Sequence, residues 1–143
     1  APQGPFDFVS LLIGVNNQYR GRPLDEYRHQ FEALLQRAIG FAGGDAGRVL
    51  VLSFPDWGAT PFGAGSGRDL ARVEIETDEF NAAAEVISTQ RGVAFVDITD
   101  ISRTHGTDPA MIAGDGLHPS ARMYALWAER ALPVATQLLQ RTD

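Results

Sequence analysis

The residues best suited to chemistry stand at opposite ends of the chain. Asp115-Gly116-Leu117-His118-Pro119-Ser120 places a carboxylate three residues before a histidine. A carboxylate there can orient the imidazole and stabilise its charged form, which makes the histidine a general base toward a hydroxyl nucleophile. Gly14-Val15-Asn16-Asn17 follows an apolar run. An asparagine at the end of a strand can point its side-chain amide at a developing oxyanion. No serine sits where it would complete the set. Ser53 ends an apolar run, but Pro55 follows it and no elbow glycines flank it. Ser120 reads as a helix-start residue. Ser10, Ser66, Ser88 and Ser102 read as strand interior, loop, helix end and strand exit.

The elements that must position these groups belong to a single globular domain. The chain has 143 residues, 44% apolar and 21% charged, a balance that excludes disorder. A net charge of −6, scattered along the sequence, argues against nucleic acid or an anionic membrane surface as partner. With no cysteine there is no disulfide framework, thiolate nucleophile or cysteine metal site, and both a cytoplasmic and a secreted location stay open. No apolar run approaches the ~18 residues of a membrane span. His105 with Asp97, Asp100 and Asp108 lacks recognised ligand spacing, so no metal is expected and the group reads as a surface loop.

Phe6 to Ile13 is apolar almost throughout, as expected of a parallel strand covered on both faces. Residues 15–22 read as a polar loop. Pro23 then opens a helix, with Leu24, Tyr27, Phe31, Leu34, Leu35 and Ala38 on one stripe. A second buried strand spans Arg48 to Phe54. Residues 56–67, rich in glycine, read as a long loop at a strand's carboxyl end, where α/β sheets place ligands. Helical spacing resumes from Leu70 and runs to Ile87. A third strand, Val93 to Val96, leads into an irregular stretch up to Asp115. A last helix starts near Pro119, carries Met123, Leu126, Trp127 and Ala131 inward, and is expected to kink or break at Pro133.

Strands alternating with helices predict a parallel sheet with right-handed crossovers. The first strand is too apolar for a bare edge, so something should cover it. With Ala1-Pro2-Gln3-Gly4-Pro5 running straight into that strand, the expectation is that the chain is the C-terminal part of something longer.

Gly14-Val15-Asn16-Asn17 after a buried strand, and Asp115-x-x-His118-Pro119 before the last helix, resemble the third and fifth sequence blocks of the SGNH, or GDSL, hydrolases. The likeness continues through Gln18-Tyr19-Arg20-Gly21, Ser53-Phe54-Pro55-Asp56-Trp57 and Tyr124-Ala125-Leu126-Trp127-Ala128. The resemblance implies a flavodoxin-like three-layer α/β/α sandwich, here without its first two strand-helix units, or roughly 60 residues. It implies metal-free, cofactor-free hydrolysis of carboxylic esters of lipids, sugars or small alcohols. It makes His118 the general base, Asp115 its orienting carboxylate and Asn16 an oxyanion-hole donor. The nucleophile's Gly-Asp-Ser block and the loop bearing an oxyanion-hole glycine are not found in the chain. Asn17 stands where the family often has Asp. Asn17, Tyr19, Arg20 and Trp57, with Thr60 and Phe62, either line the substrate pocket or serve a solvated loop and its packing. The expectation is one incomplete domain over residues 1–143. Its partners would be an ester substrate and, over strand 6–13, the missing N-terminal segment or a dimer mate. The alternative is a non-catalytic SGNH-like binding module that keeps the cleft and has discarded the nucleophile.

Overall fold

The computed structural model describes residues 3–140, so the opening Ala1-Pro2 lies outside the described residues. Three strands, β1 (Val9–Leu11), β2 (Val49–Leu52) and β3 (Ala94–Val96), run parallel in the order β1-β2-β3. Val9 faces Val49, Leu11 faces Val51, and Leu50 faces Ala94. The helices are α1 (Val15–Tyr19), α2 (Leu24–Phe41), α3 (Pro61–Gly65), α4 (Leu70–Gln90), α5 (Thr99–His105) and α6 (Ala121–Gln140). Parallel neighbours need crossover connections; α2 supplies the one between β1 and β2, and α4 the one between β2 and β3.

Alternation along β2 divides the core in two. Val49 and Val51 pack with Tyr27, Phe31 and Leu35 of α2 and Phe80 of α4. Leu50 points the other way, into a cluster with Val96, Met123 and Trp127 beneath α6. The result is the expected three-layer α/β/α sandwich. Of the α2 stripe, Leu34 turns out exposed while Tyr27, Phe31, Leu35 and Ala38 are buried.

Several local expectations are corrected. The strand expected over 6–13 shortens to three residues: Val9, Leu11 and Ile13 pack toward α2, while Ser10 and Leu12 are exposed. The run is apolar on both faces, but on the second only Phe8 is partly covered, against the cluster beneath α6, and among the described residues β1 pairs with β2 alone. The polar loop at 15–22 contains α1, started by Gln18 N–H donating to the Gly14 carbonyl at 3.1 Å. The long loop at 56–67 is mostly ordered turns. Asp56 Oδ1 accepts from Gly58 N–H to cap a 3₁₀ turn at Trp57–Ala59, and Thr60 Oγ1 accepts from Gly63 N–H to cap α3, with Pro61 in its first turn. The irregular stretch after β3 holds α5. Finally, α6 is not interrupted at Pro133, because Ala131, Val134 and Leu138 on either side pack into the same cluster.

Candidate active site

The loop that carries His118 is closed on itself before α6 begins. Ala113 N–H donates to the His118 carbonyl at 2.7 Å and Ser120 N–H to the Met111 carbonyl at 2.8 Å. Gly116, at φ +73°, makes the turn, and its carbonyl accepts Phe62 N–H at 3.0 Å, tying the loop to α3. The Ser120 hydroxyl accepts from the N–H of Arg122 and Met123, which is the helix-start role its position suggested.

Within this loop Asp115 makes three bonds to its own neighbourhood. Oδ1 accepts from the backbone N–H of His118 at 2.9 Å and of Leu117 at 3.0 Å, and Oδ2 lies 2.5 Å from His118 Nδ1. The His118 backbone bond, then the Leu117 bond, then the imidazole bond hold the Asp115 carboxyl down at about 2. An ionised carboxylate only accepts hydrogen bonds, so Nδ1 must be the donor. Nε2 of neutral His118 is then left with its lone pair free, the tautomer a general base needs. Nε2 has no partner among the described residues, and both side chains are more than half open.

Asn16 is placed by Gly14. At φ +131° Gly14 lies in a region L side chains avoid. A Cβ there would come within 2.6 Å of the Phe54 ring and 2.9 Å of the Tyr27 hydroxyl. Only glycine lets α1 start this close to the sheet. Asn16 then projects with its side-chain amide exposed and unbonded among the described residues. Asn17 turns away and donates to Gln30 Oε1 on α2 at 2.8 Å. Arg20 borders a polar depression shared with Asn16 and Asn17. Tyr19 packs edge-on against Trp57 at 5.1 Å, with Arg68 5.5 Å over its ring.

These elements enclose an apolar cavity of about 350 Å³ at the carboxyl ends of the strands. Asn16, Tyr19, Trp57, Thr60, Phe62 and His118 all line it; Asp115 acts on it through His118, whereas Asn17 and Arg20 lie outside it. The walls supplied by Ile112, Met123 and Trp127 were not singled out as site residues in the sequence, because Met123 and Trp127 read as the inner face of a helix and Ile112 lay in the irregular stretch before Asp115. Gln18 was missed as well. It is buried in α1 and accepts the Trp57 indole N–H at 2.6 Å. A polar residue buried in so short a helix is its only signal.

Ser53 and Ser102 are otherwise engaged. Ser53 Oγ donates to Asp97 Oδ1 at 2.6 Å and accepts from Ile98 N–H and Thr99 Oγ1. Although burial opposes it, those bonds from Ser53 and Thr99, with Arg130 nearby, hold the Asp97 carboxyl below its usual value. Ser102 lies in α5 rather than at a strand exit; its hydroxyl donates to the Thr99 carbonyl at 2.6 Å and accepts Asp56 N–H at 2.9 Å. Among the described residues no three His, Asp or Glu side chains converge as metal ligands, and no helix is long and apolar enough to cross a membrane.

The parallel α/β/α sandwich matches the SGNH hydrolase fold. The chain belongs to the GDSL-like Lipase/Acylhydrolase family, whose model matches residues 1–126. Among solved structures it is similar to Axe2, an acetylxylan esterase from Geobacillus stearothermophilus, at 20% identity and TM-score 0.67, over 97% of this chain and 64% of that one. TesA is similar at 17% identity and TM-score 0.63, over 92% of this chain and 63% of TesA. LAE5, an alpha/beta hydrolase enzyme from the metagenome of Lake Arreo, Spain, is similar at 20% identity and TM-score 0.61, over 94% of this chain and 62% of LAE5. At these identities the likeness is one of fold, and the chain spans less than two thirds of each of these proteins. No curated protein matches it.

Proposed function

We propose that this chain supplies the general base, its orienting carboxylate and an oxyanion donor of an SGNH-type carboxylic ester hydrolase, and that the nucleophilic serine comes from outside its 143 residues. The observation that carries this reading is the 2.5 Å contact of Asp115 with His118 Nδ1, with His118 and Asn16 opening on the same cavity. The engagement of Ser53 and Ser102 in buried hydrogen bonds supports the second half of it.

In the complete site the serine Oγ attacks the ester carbonyl carbon as its proton passes to His118 Nε2. The charge that builds on the carbonyl oxygen is met by the Asn16 amide. Collapse breaks the bond to the alcohol oxygen, which takes the proton from His118 and leaves. Water, deprotonated by the same His118, then releases the acid from the acyl-enzyme and restores the serine. Throughout, ionised Asp115 stabilises the imidazolium. The segment that brings the serine is also expected to pair with the open side of β1 and cover Ser10 and Leu12, which are exposed. One N-terminal segment, forming a single domain with residues 1–143, would serve both needs.

The test uses a longer protein whose added N-terminal segment carries Gly-Asp-Ser after an apolar strand. It should hydrolyse short p-nitrophenyl esters and take one fluorophosphonate label, on that serine. The 143-residue chain alone should do neither. Silence from the longer protein, or a label on one of the six serines of this chain, overturns the proposal.

A further inference from the structure

The cavity beside His118 has walls that are apolar not only in composition but in what they leave unbonded. Val15, Trp57, Ile112, Met123 and Trp127 present carbon to it. The buried polar side chains in the wall are already committed inside the protein. Thr60 Oγ1 donates to the Trp57 carbonyl and accepts from Gly63. Ser102 Oγ is satisfied by Thr99 and Asp56. The Asp56 carboxylate holds Gly58 N–H through one oxygen and Arg103 Nε through the other. The Trp57 indole N–H is taken by Gln18, and that of Trp127, which lacks a partner, is sealed from solvent. Groups free to bond a ligand, Asn16, His118 and the Tyr19 ring's hydroxyl, belong to exposed residues.

We propose that this cavity takes an unbranched apolar chain of up to about ten carbons, the longer arm of the ester, and shuts out polyhydroxylated groups such as a sugar ring. The inference rests on the hydrolase reading only for the position of the ester carbonyl near Asn16 and His118. A volume of about 350 Å³ holds roughly ten water-sized groups, each about the bulk of a methylene. A sugar hydroxyl drawn past the exposed Asn16, Tyr19 and His118 into the buried part of this space would leave water and find no free side-chain partner, which opposes its entry. An acetyl group alone would leave most of the cavity unfilled.

Both tryptophans of the chain, Trp57 and Trp127, line the cavity, so its filling is readable by intrinsic fluorescence without any turnover. The probes are 2-alkanones of four to fourteen carbons, which are uncharged and cannot be hydrolysed, and xylobiose. The 143-residue chain should bind the ketones saturably, about fourfold tighter for each added methylene, until the gain stops near ten carbons. Ile112→Phe and, from a different element, Val15→Phe should each move that stop to shorter chains; the second variant guards against misfolding of the first. Xylobiose should give no saturable change. Binding that is indifferent to chain length, a gain that continues undiminished to fourteen carbons and ignores both variants, or binding of xylobiose comparable to that of the ketones overturns the proposal. If the 143-residue chain binds ketones as described while the longer, serine-bearing protein never cleaves an ester, the hydrolase reading alone is sunk. One that cleaves acetyl esters and shows no length dependence sinks only this one.

Discussion

Trp57 donates its indole N–H to the side-chain carbonyl of Gln18 across 2.6 Å, and Gln18 in turn donates from its amide to Glu76 at 2.9 Å. Gln18 and Trp57 are 2% and 3% exposed, so the pair is effectively in the core. It joins the helix bearing Asn16 to the turn bearing Trp57 and to α4. The Gln18→Leu variant keeps the bulk and strands the indole N–H. It should lose about 1–3 kcal/mol of stability, read by chemical denaturation, and shift the tryptophan emission. A change within about 0.5 kcal/mol, the range of ordinary surface substitutions, would show the bond to be incidental.

What was legible in the sequence and what was not divides by the range of the contact. Asp115 and His118 are three residues apart, so their pairing is a property of one turn. Asn16 was legible because a glycine and a polar pair cut off an apolar run. Gln18 and Trp57 are 39 residues apart and belong to no periodic pattern, so only the folded chain brings them together. The five residues of α1 are too few for a 3.6-residue period to register, and with Gln18 inside they read as polar loop. The strand at 6–13 was overlong because apolar side chains report what a face is suited to meet, and Leu12 meets solvent. Asn17 and Arg20 stood next to Asn16 in sequence, but the helical turn of α1 directs them to the neighbouring depression.

The Asp115 carboxyl should titrate near pH 2, followed by carboxyl-carbon NMR. Its folded value lies below the ~3.9 of an ordinary aspartate. The bonds it makes therefore favour the folded loop fully above that ordinary value and are lost as pH falls through about 2. Between pH 4 and 8 the orienting anion should not change its charge. A midpoint close to 4 would mean that the bonds from His118 and Leu117 do not persist in solution.

Gly14→Ala should be among the most damaging single-methyl changes in the protein. The new Cβ would meet the Phe54 ring at 2.6 Å in a backbone conformation at φ +131°. Strain of this kind with overpacking costs about 1–3 kcal/mol, or a Tm lower by about 3–10 °C. Relief requires the start of α1 to move, and Asn16 moves with it. A calorimetric Tm unchanged within a degree would contradict the packing at Gly14.

A set of substitutions in the longer, serine-bearing protein separates catalytic from structural roles. His118→Ala and Asp115→Asn should each lower kcat by about 10⁴, the first by removing the base and the second by releasing the tautomer it needs. Asn16→Ala, which removes one oxyanion donor, should cost about 10²–10³ in kcat. Ser53→Ala should behave oppositely. It removes a hydroxyl that donates to Asp97 and accepts from Ile98 and Thr99 inside the protein. Stranding those partners should cost about 1–3 kcal/mol of stability while leaving fluorophosphonate labelling in place at temperatures where the variant is folded. If labelling instead vanished with Ser53 and survived the loss of the upstream serine, the nucleophile would belong to this chain after all. The base would then have to serve a hydroxyl now bonded to Asp97, which the packing around Ser53 does not allow without rearrangement.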